Sequence, residues 1–412
     1  MNLGQRQYER VEKVCLVVLT SRLAVPASGR EMHHNPLEHC CAEGNDDNKN
    51  KFPELYMNLK TPIRVLLTAS ALCSAVVFGV VGAADTDKEL LDRARTLFKP
   101  LPDTARVDDY PHSQARIDLG KALFFETRVS ADGRMSCAAC HSPSYHGADS
   151  LAVSVGVHGK KLPRNASTVF NTPLLIAQHY GGNRVTVEEQ AMKALLSPLA
   201  YGNKDYAEAE AKMKALGYLP MFEKAFPNEA DPVTAENWAK AIGAFERTLL
   251  TPAPFDRYLK GDQRAISKEA KIGLEKFMSV GCAGRHNGVT VGGQSYMKFG
   301  LTEDYWLVTG SKEMEALKGR DKGRWHDTQK PEDMYIFKVS QLRNVAATPP
   351  YFHDGSVQKL DDAVRVMARL QLGKQLSDED VTHIVAFLHT LTGEVPKQFA
   401  TAPVLPVGGF AN

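Results

Sequence analysis

The chain has 412 residues, too many for one ordinary domain, and its 43% hydrophobic and 24% charged residues are typical of a globular protein. Lys and Arg number 50 against 48 Asp and Glu, and this balance argues against a nucleic-acid partner or strong attraction to an anionic surface. The seven cysteines are not spaced like a disulfide framework, and only Cys137 and Cys140 form a C-x-x-C pair.

The first part of the chain predicts export. Residues 57–84 read MNLKTPIRVLLTASALCSAVVFGVVGAA, with basic residues, an apolar run and a small-residue end, which is the pattern of a cleaved secretory signal peptide. An uncleaved membrane anchor is the alternative, because the run is near the lower length limit for a span. We therefore expect Met57 to be the true start, residues 1–56 to be a non-native or disordered extension, and the mature protein to be periplasmic.

Two similar segments follow, each placed just before a cysteine motif. ARIDLGKALF (115–124) and AKIGLEKFM (270–278) both predict an amphipathic helix. Strand-like alternation is scarce along the chain. A helix leading into each motif suggests two related helical domains, each of which builds one site.

Two further helices are predicted from their start and stop signals. TAENWAKAIGAFERTLL (234–250) begins with Thr234 as a plausible N-cap and carries apolar residues at helical spacing. SDEDVTHIVAFLHTLTG (377–393) begins with Ser377 as its cap, and Gly393 is predicted to end it. The apolar stripes of these helices predict core packing rather than cofactor contacts.

The sequence Cys137-Ala138-Ala139-Cys140-His141 is a C-x-x-C-H motif, which predicts covalent attachment of a c-type haem. Two thiols can add to the haem vinyl groups, and the adjacent histidine can then bind the iron as proximal ligand. A zinc site would need further Cys or His partners, and a redox dithiol would need a βαβ context. Neither is evident, so the pattern favours haem over both alternatives.

GCAGRHNG (281–288) has the form of the same motif with one cysteine missing. Cys282 and His286 are in place, but Arg285 stands where the second cysteine would be. Taken alone, this is a weak pattern. One thioether through Cys282 and iron ligation by His286 remain feasible, so we predict a second haem held through a single bond.

Two long stretches accompany these motifs. They are SVGVHGKKLPRNASTVFN (154–171) and FKVSQLRNVAATPPYFHDGSVQKLDDAVRVMARLQLG (337–373). Together with the cysteine motifs, they closely resemble the bacterial di-haem cytochrome c peroxidases, a family that includes the MauG-type enzymes. The resemblance runs from about residue 115 to residue 393. It implies a mostly α fold with two cytochrome c-like helical domains, each carrying one c-type haem.

The resemblance also implies the iron ligands. In the first domain, His141 would be the proximal ligand of a peroxidatic haem, and His158 would be a distal ligand that occupies the resting state and leaves on activation. In the second domain, His286 and Met367 would be the axial ligands of an electron-transfer haem. His353 is implied as a further residue that contacts the cofactor.

Three other positions are implied to matter for catalysis. Gln190 matches a residue that can hydrogen-bond peroxide, and Tyr180 matches an aromatic bridge between the haems where relatives carry Trp. Ala200 stands at the position of the family's catalytic glutamate, so this chain lacks a carboxylate that helps to move protons. Water or His179 is a candidate substitute.

A calcium site is implied at Asn165, Thr348 and Pro350, which match positions that bind calcium between the domains of family members. One amide oxygen and two carbonyl oxygens are suitable hard ligands, with waters completing the shell. A turn without any ion is the alternative.

The implied domains are a peroxidatic haem domain at 85–251, an electron-transfer haem domain at 252–400 and a tail at 401–412. The boundary falls in TPAPFD (251–256), which contains two prolines.

The implied function is a periplasmic peroxidase that reduces hydrogen peroxide with electrons from a cytochrome c or a small copper protein, usually as a homodimer. The alternatives are a non-enzymatic di-haem electron carrier, a mono-haem protein with a dead second site, and a MauG-like oxidase that modifies a protein. MauG-type enzymes have an axial tyrosine where this chain has Met367, which argues against the last.

Overall fold

The computed structural model describes residues 83–105, 113–311 and 319–408. The predicted extension at 1–56 and residues 57–82 of the predicted signal peptide lie outside the described residues. The last two residues of that predicted peptide, Ala83 and Ala84, open the first described helix. None of the described helices has the length and apolar character needed to cross a membrane.

The described part of the chain is mostly helical, as the sequence predicts. The helices are α1 (Ala83–Leu97), α2 (Gln114–Phe125), α3 (Cys137–Cys140), α4 (Val187–Ala194), α5 (Tyr206–Ala215), α6 (Leu219–Ala225), α7 (Ala235–Glu246), α8 (Pro254–Leu259), α9 (Lys268–Val280), α10 (Tyr305–Thr309), α11 (Trp325–Thr328), α12 (Leu360–Leu372), α13 (Asp378–His389) and α14 (Lys397–Ala400). Short 3₁₀ turns lie at Val157–Gly159 and Cys282–Gly284, among others. The strands β1 (Tyr296–Lys298) and β2 (Ile336–Lys338) pair antiparallel, with Met297 opposite Phe337.

The predicted helix starts are confirmed by their capping bonds. The Thr234 hydroxyl accepts from the backbone N–H of Asn237, and the Ser377 hydroxyl accepts from that of Asp380. Each bond satisfies an N–H that the first helical turn leaves without a partner.

The predicted helix end at Gly393 is wrong, because α13 already ends at His389. Gly393 instead lies against the backbone of Thr251, where a Cβ atom would come within 2.4 Å of the carbonyl oxygen. Its role is therefore close approach of two chain segments rather than termination of the helix.

Two hydrophobic clusters form the core. The first is built on α2 and α7, and the second on α8, α9 and α13. Each end of the described chain packs in the cluster formed by the other half. Leu91 and Phe98, near the N-terminal end, pack in the second cluster, whereas Phe399 packs in the first. The predicted boundary at 251–256 lies between residues of the two clusters and stays a prediction.

The same helix crossing occurs once in each cluster. A Cβ added to Gly120 of α2 would lie 1.9 Å from the carbonyl oxygen of Ala241 on α7. A Cβ added to Gly273 of α9 would lie 1.8 Å from the carbonyl oxygen of His383 on α13. In each case the helices touch backbone to backbone, with a phenylalanine four residues further along the second helix. The two segments that precede the motifs are therefore similar in packing as well as in sequence.

A buried hydrogen-bond network links the two halves. Asn171 and Asn344 are both fully buried, and both adopt left-handed backbone angles, with φ values of 61° and 64°. Their side-chain amides each donate to the hydroxyl of Thr251, at 2.9 Å. Because Asn171 follows the first motif and Asn344 the second, Thr251 joins segments that belong to different repeats.

Candidate functional site

The first motif forms a single tight turn. Cys137–Cys140 is one helical turn, and the backbone N–H of His141 donates to the carbonyl oxygen of Cys137 at 2.9 Å. His141 Nδ1 lies 3.0 Å from the carbonyl oxygen of Gly147. A carbonyl can only accept, so Nδ1 carries the proton and Nε2 keeps a lone pair available for a metal.

The protonation states in this motif favour covalent attachment over the alternatives. Burial raises the pKa of the Cys137 thiol to about 12 and that of Cys140 to about 11, and burial also lowers the pKa of His141. A redox dithiol needs an accessible thiolate, which these pKa values disfavour. Over the described ranges, no group of three or more His, Cys, Asp and Glu side chains is placed to hold a metal, which leaves the zinc alternative without partners.

The second motif adopts the same turn although Arg285 replaces a cysteine. The backbone N–H of His286 donates to the carbonyl oxygen of Cys282 at 3.0 Å, which matches the bond in the first motif. Burial lowers the pKa of His286 to about 4, so its imidazole is neutral at physiological pH, as a metal ligand must be. A backbone hydrogen bond forms this turn, so the turn is kept although Arg285 stands in place of the second cysteine.

Gly292 fits closely behind His286. Its φ of 121° lies in the left-handed region, and an added Cβ would lie 2.3 Å from the carbonyl oxygen of Ser340 and 3.0 Å from His286 Nδ1. A glycine is required there for both reasons. Gly147 occupies the corresponding position, six residues after His141, so both histidines are backed by a glycine turn.

A cavity of about 250 Å³ opens beside the second motif. Cys282 and His286 line it, and α12 contributes a stripe at helical spacing that includes Ala363, Val364 and Met367. The resemblance predicts Met367 as an iron ligand, and its side chain is half-buried and faces this cavity rather than the core. A neutral imidazole, a thioether and a thiol around one largely apolar space form a donor set that fits a c-type haem.

The three predicted calcium ligands are brought together. Asn165, Thr348 and Pro350 come from distant parts of the sequence, and all three line the same cavity. The Asn165 amide donates to the carbonyl oxygen of Leu151 at 2.7 Å, while its oxygen accepts a long hydrogen bond of 3.4 Å from Tyr180. The arrangement is compatible with the predicted site, whose occupancy stays a prediction.

Tyr180, the predicted aromatic bridge, is a lining residue of the cavity beside the second motif, and its bridging role stays a prediction. Its hydroxyl contacts the oxygen of Asn165 and the carbonyl of Phe352, and its ring centroid lies 6.5 Å from that of His353. Burial raises the pKa of Tyr180, so the phenol stays protonated. The neighbouring His179 lines the same cavity, and its pKa is lowered first by burial and further by the cations Arg184 and Arg164, while a hydrogen bond with Asn183 opposes the shift.

His353 is buried, at 3% exposure, and lines the cavity beside Phe337 and Phe299, with ring centroids 4.8 and 5.8 Å away. Its predicted contact with the cofactor is compatible with this position.

The residues predicted around the first site are His158, on one segment, and Gln190 and Ala200, on another that packs against it. His158 is exposed on a 3₁₀ turn with a left-handed φ of 57°, and its backbone N–H donates to Asp132 at 2.7 Å. The glycines on either side of His158 have different surroundings, and nothing lies within 4 Å of a Cβ added to Gly159. Gly156 instead permits close packing, because a Cβ there would lie 1.8 Å from the carbonyl oxygen of Leu199, next to Ala200.

Gln190 is half-buried on α4. The segment that follows α4 lies over the first motif, because the Tyr201 hydroxyl and the Cys137 sulfur are 3.5 Å apart. Ala200 therefore lies beside the site, where its methyl group can neither accept nor donate a proton.

Sequence reasoning missed several charged residues here. Arg164 and Asp321 form a buried ion pair, with a contact of 2.7 Å, although 157 residues separate them. Glu246 and Lys338 are buried too, at 5% and 8% exposure. The only signal available for these last two was a charged residue in an otherwise apolar run, namely AFERTLL and YIFKV.

Comparison with known proteins gives a consistent result. The family model described as di-haem cytochrome c peroxidase matches residues 114–264. The chain is 42% identical over 323 residues to the cytochrome c551 peroxidase of Pseudomonas aeruginosa, which covers 77% of this chain and 90% of that protein. It is 29% identical to the methylamine utilization protein MauG of Methylorubrum extorquens, over 84% of this chain and 99% of that one. A solved MauG-like protein associated with microbial copper homeostasis superposes with a TM-score of 0.64 at 25% identity, covering 74% of this chain and 97% of that protein.

Proposed function

The chain is an oxidoreductase of the di-haem cytochrome c peroxidase family, and on this premise we propose that it reduces hydrogen peroxide to water with electrons from a small redox protein in the periplasm. The observation that carries the proposal is the pair of matching turns. In each, the backbone N–H of the histidine donates to the carbonyl oxygen of the cysteine four residues earlier, at 2.9 and 3.0 Å, and burial lowers the pKa of the imidazole.

Two haems would be held by this chain's own residues. The first would be attached through Cys137 and Cys140 and ligated by His141. The second would be attached through Cys282 alone and held by His286 and Met367, with His353 in contact. When bound, such haems supply one iron that can bind peroxide and another that can store an electron.

At the second site, the protein excludes water and sets the ligands. The apolar stripe of α12 carries Met367 into the cavity, and burial keeps His286 neutral. A thioether ligand favours the reduced state of a haem, which suits a site that accepts electrons from a donor protein.

At the first site, we assign Gln190 to hydrogen-bond peroxide and His158 to block the iron in the resting state. The exposed position of His158 on a short turn is compatible with a ligand that leaves. Tyr180, between the sites, is assigned to electron transfer, and Asn165, Thr348 and Pro350 to a calcium ion that would stabilise this junction. The protein would act as a homodimer.

Peroxide-dependent oxidation of a reduced cytochrome c tests this function directly. We expect the fully oxidised protein to be nearly inactive and to gain activity after one-electron reduction. His158→Ala should be active without that reduction, because the blocking ligand is gone. Lys160→Ala, in the same exposed loop, is the matched control and should behave like the wild type. Absence of turnover under all these conditions would refute the peroxidase assignment.

One specific observation favours a second candidate, a non-enzymatic electron carrier. Ala200 replaces the catalytic glutamate of the family and offers no proton. If the wild type holds two haems but does not turn over peroxide, Ala200→Glu separates the cases. Gain of turnover in that variant would identify the native protein as a carrier built on a peroxidase site.

A further inference from the structure

Lys338 is a buried charge in the second cavity. It ends β2, is one of the residues that line the cavity, and is only 8% exposed. Within the described residues, its ammonium group forms no hydrogen bond and no ion pair. Burial lowers its pKa to about 8, and no neighbouring acid opposes that effect. A buried ammonium without a partner costs folding free energy unless something absent from the polypeptide completes it.

The charges of the residues that line the cavity favour an anionic ligand. Its lining contains four cationic side chains and no Asp or Glu: Arg285, Lys298, Lys338 and Arg343. Arg343 is already neutralised by Asp256, at 2.7 and 2.8 Å. Lys298 is exposed at the mouth. Lys338 and the half-buried Arg285 are therefore the cations of the cavity that no described acid neutralises, and Lys338 is the more deeply buried of the two.

Lys338 and Cys282 line the cavity from different elements. Cys282 lies beside the last turn of α12, since a Cβ added to the preceding Gly281 would be 3.6 Å from Leu372. Lys338 ends β2, where its backbone N–H donates to the carbonyl oxygen of Tyr180 at 2.7 Å. A c-type haem carries groups suited to both residues, because its vinyl groups form thioethers with thiols and it also bears two anionic propionate groups.

We propose that the Lys338 ammonium is the counter-ion of a propionate carboxylate of the haem in this cavity. This inference rests on the proposed function, which places a haem there. The contact would be a charge-assisted hydrogen bond inside a dry site, which is stronger than a neutral one. Because Arg285 leaves a single thioether, the ion pair would be a further anchor of the haem beside that thioether and the ligands His286 and Met367.

The test uses the full chain purified after haem attachment, with resonance Raman spectroscopy of the haem propionate bending bands. We expect Lys338→Met to shift the band of the second haem, and Lys338→Arg to restore it toward the wild-type position. The fraction of chains that carry two haems, measured by intact mass, should fall severalfold in Lys338→Met. Lys298→Met, at the exposed mouth of the same cavity, should change neither quantity.

Introducing Arg285→Cys provides a second arm. With two thioethers available, we expect the loss of haem in Lys338→Met to be largely reversed, while the shift of the propionate band persists. If the band of the second haem does not move in Lys338→Met, or moves equally in Lys298→Met, the ion pair does not exist. If the wild type itself carries no second haem, the proposed function fails instead, so the two failures are distinguishable.

Discussion

At the scale of single residues, the backbone turn that ends at each histidine does not depend on the second cysteine of the C-x-x-C-H motif. His286 makes the same backbone hydrogen bond to Cys282 that His141 makes to Cys137, although Arg285 interrupts the second motif. The imidazole is positioned by its backbone and by the glycine turn behind it. Loss of one thioether therefore need not displace the iron ligand.

Glu246 is a buried carboxyl whose pKa is strongly raised by its surroundings. Burial, and then the charge of Glu188, raise its pKa to about 8, whereas Arg247 opposes the shift. An ionised Glu246 would in turn raise the pKa of the Cys137 thiol. Arg247 is already paired with Glu188, so it does not neutralise Glu246. The carboxyl is therefore protonated in the native state at neutral pH.

Glu246→Gln should stabilise the protein increasingly as the pH rises. The unfolded carboxyl ionises near pH 4.5, so between pH 4.5 and about 8 the native state binds more protons and the free energy of unfolding of the wild type falls. Glutamine cannot ionise and removes this loss, which is at most about 1.4 kcal/mol per pH unit. Urea denaturation at pH 5, 6.5 and 8 measures the difference.

The exposed Glu236→Gln on the same helix is the control, and its effect should not vary with pH in this way. A stability difference for Glu246→Gln that is constant from pH 5 to pH 8 would mean that Glu246 is ionised in the native state.

At the scale of elements, the two helix crossings are the feature that the repeats share. Gly120 lets α2 touch the backbone of α7, as Gly273 lets α9 touch α13. Capping bonds at Thr234 and Ser377 set where the second helix of each pair begins. The crossing itself requires the absence of a side chain at one position of the first helix.

Gly120→Ala should separate the helices of the first crossing. The added methyl group would lie 1.9 Å from the carbonyl oxygen of Ala241, which is backbone and cannot rotate away. We expect a loss of about 1–3 kcal/mol of unfolding free energy, or more, from such overpacking. Gly284→Ala is the control, because nothing lies within 4 Å of its added Cβ. Equal effects of the two substitutions in urea denaturation would contradict the close crossing.

At the scale of the whole molecule, the two repeats are joined by buried polar contacts and by exchanged chain ends. Thr251 accepts from Asn171 and Asn344, and α1 packs in the cluster of the second repeat. Asp256 and Arg343 add a buried ion pair across 87 residues of sequence. These contacts hold the cavity walls, which come from both halves of the chain.

Thr251→Val should destabilise the molecule by about 2–4 kcal/mol. Valine has the shape of threonine but leaves two buried amide groups without their acceptor, at roughly 1–3 kcal/mol each. Thr251→Ser keeps the hydroxyl and should cost less. The hydroxyl of Thr392 is buried without a hydrogen-bond partner, so Thr392→Val should be neutral or stabilising. If both valine variants unfold at the same urea concentration, the network contributes nothing.

The sequence alone determined what depends on neighbours along the chain. Helix caps, the tight C-x-x-C-H turn and the amphipathic stripes arise from groups within a few residues of one another, so the caps at Thr234 and Ser377 were predicted correctly, while the iron-binding roles of His141 and His286 stay predictions. The family resemblance was also readable, because its motifs are continuous stretches such as 337–373. The end of α13 at His389 was not, since several residues there are equally able to continue a helix.

Only the tertiary structure decided which distant segments meet. It packs α1 against the second core and Phe399 against the first, gathers Asn165, Thr348 and Pro350 at one cavity, and leaves Lys338 buried without an acid. The same environment raises the pKa of Glu246 to about 8. These outcomes depend on desolvation and on partners more than fifty residues away. Electrostatic and packing energies are set by distance in space, which the order of residues does not specify.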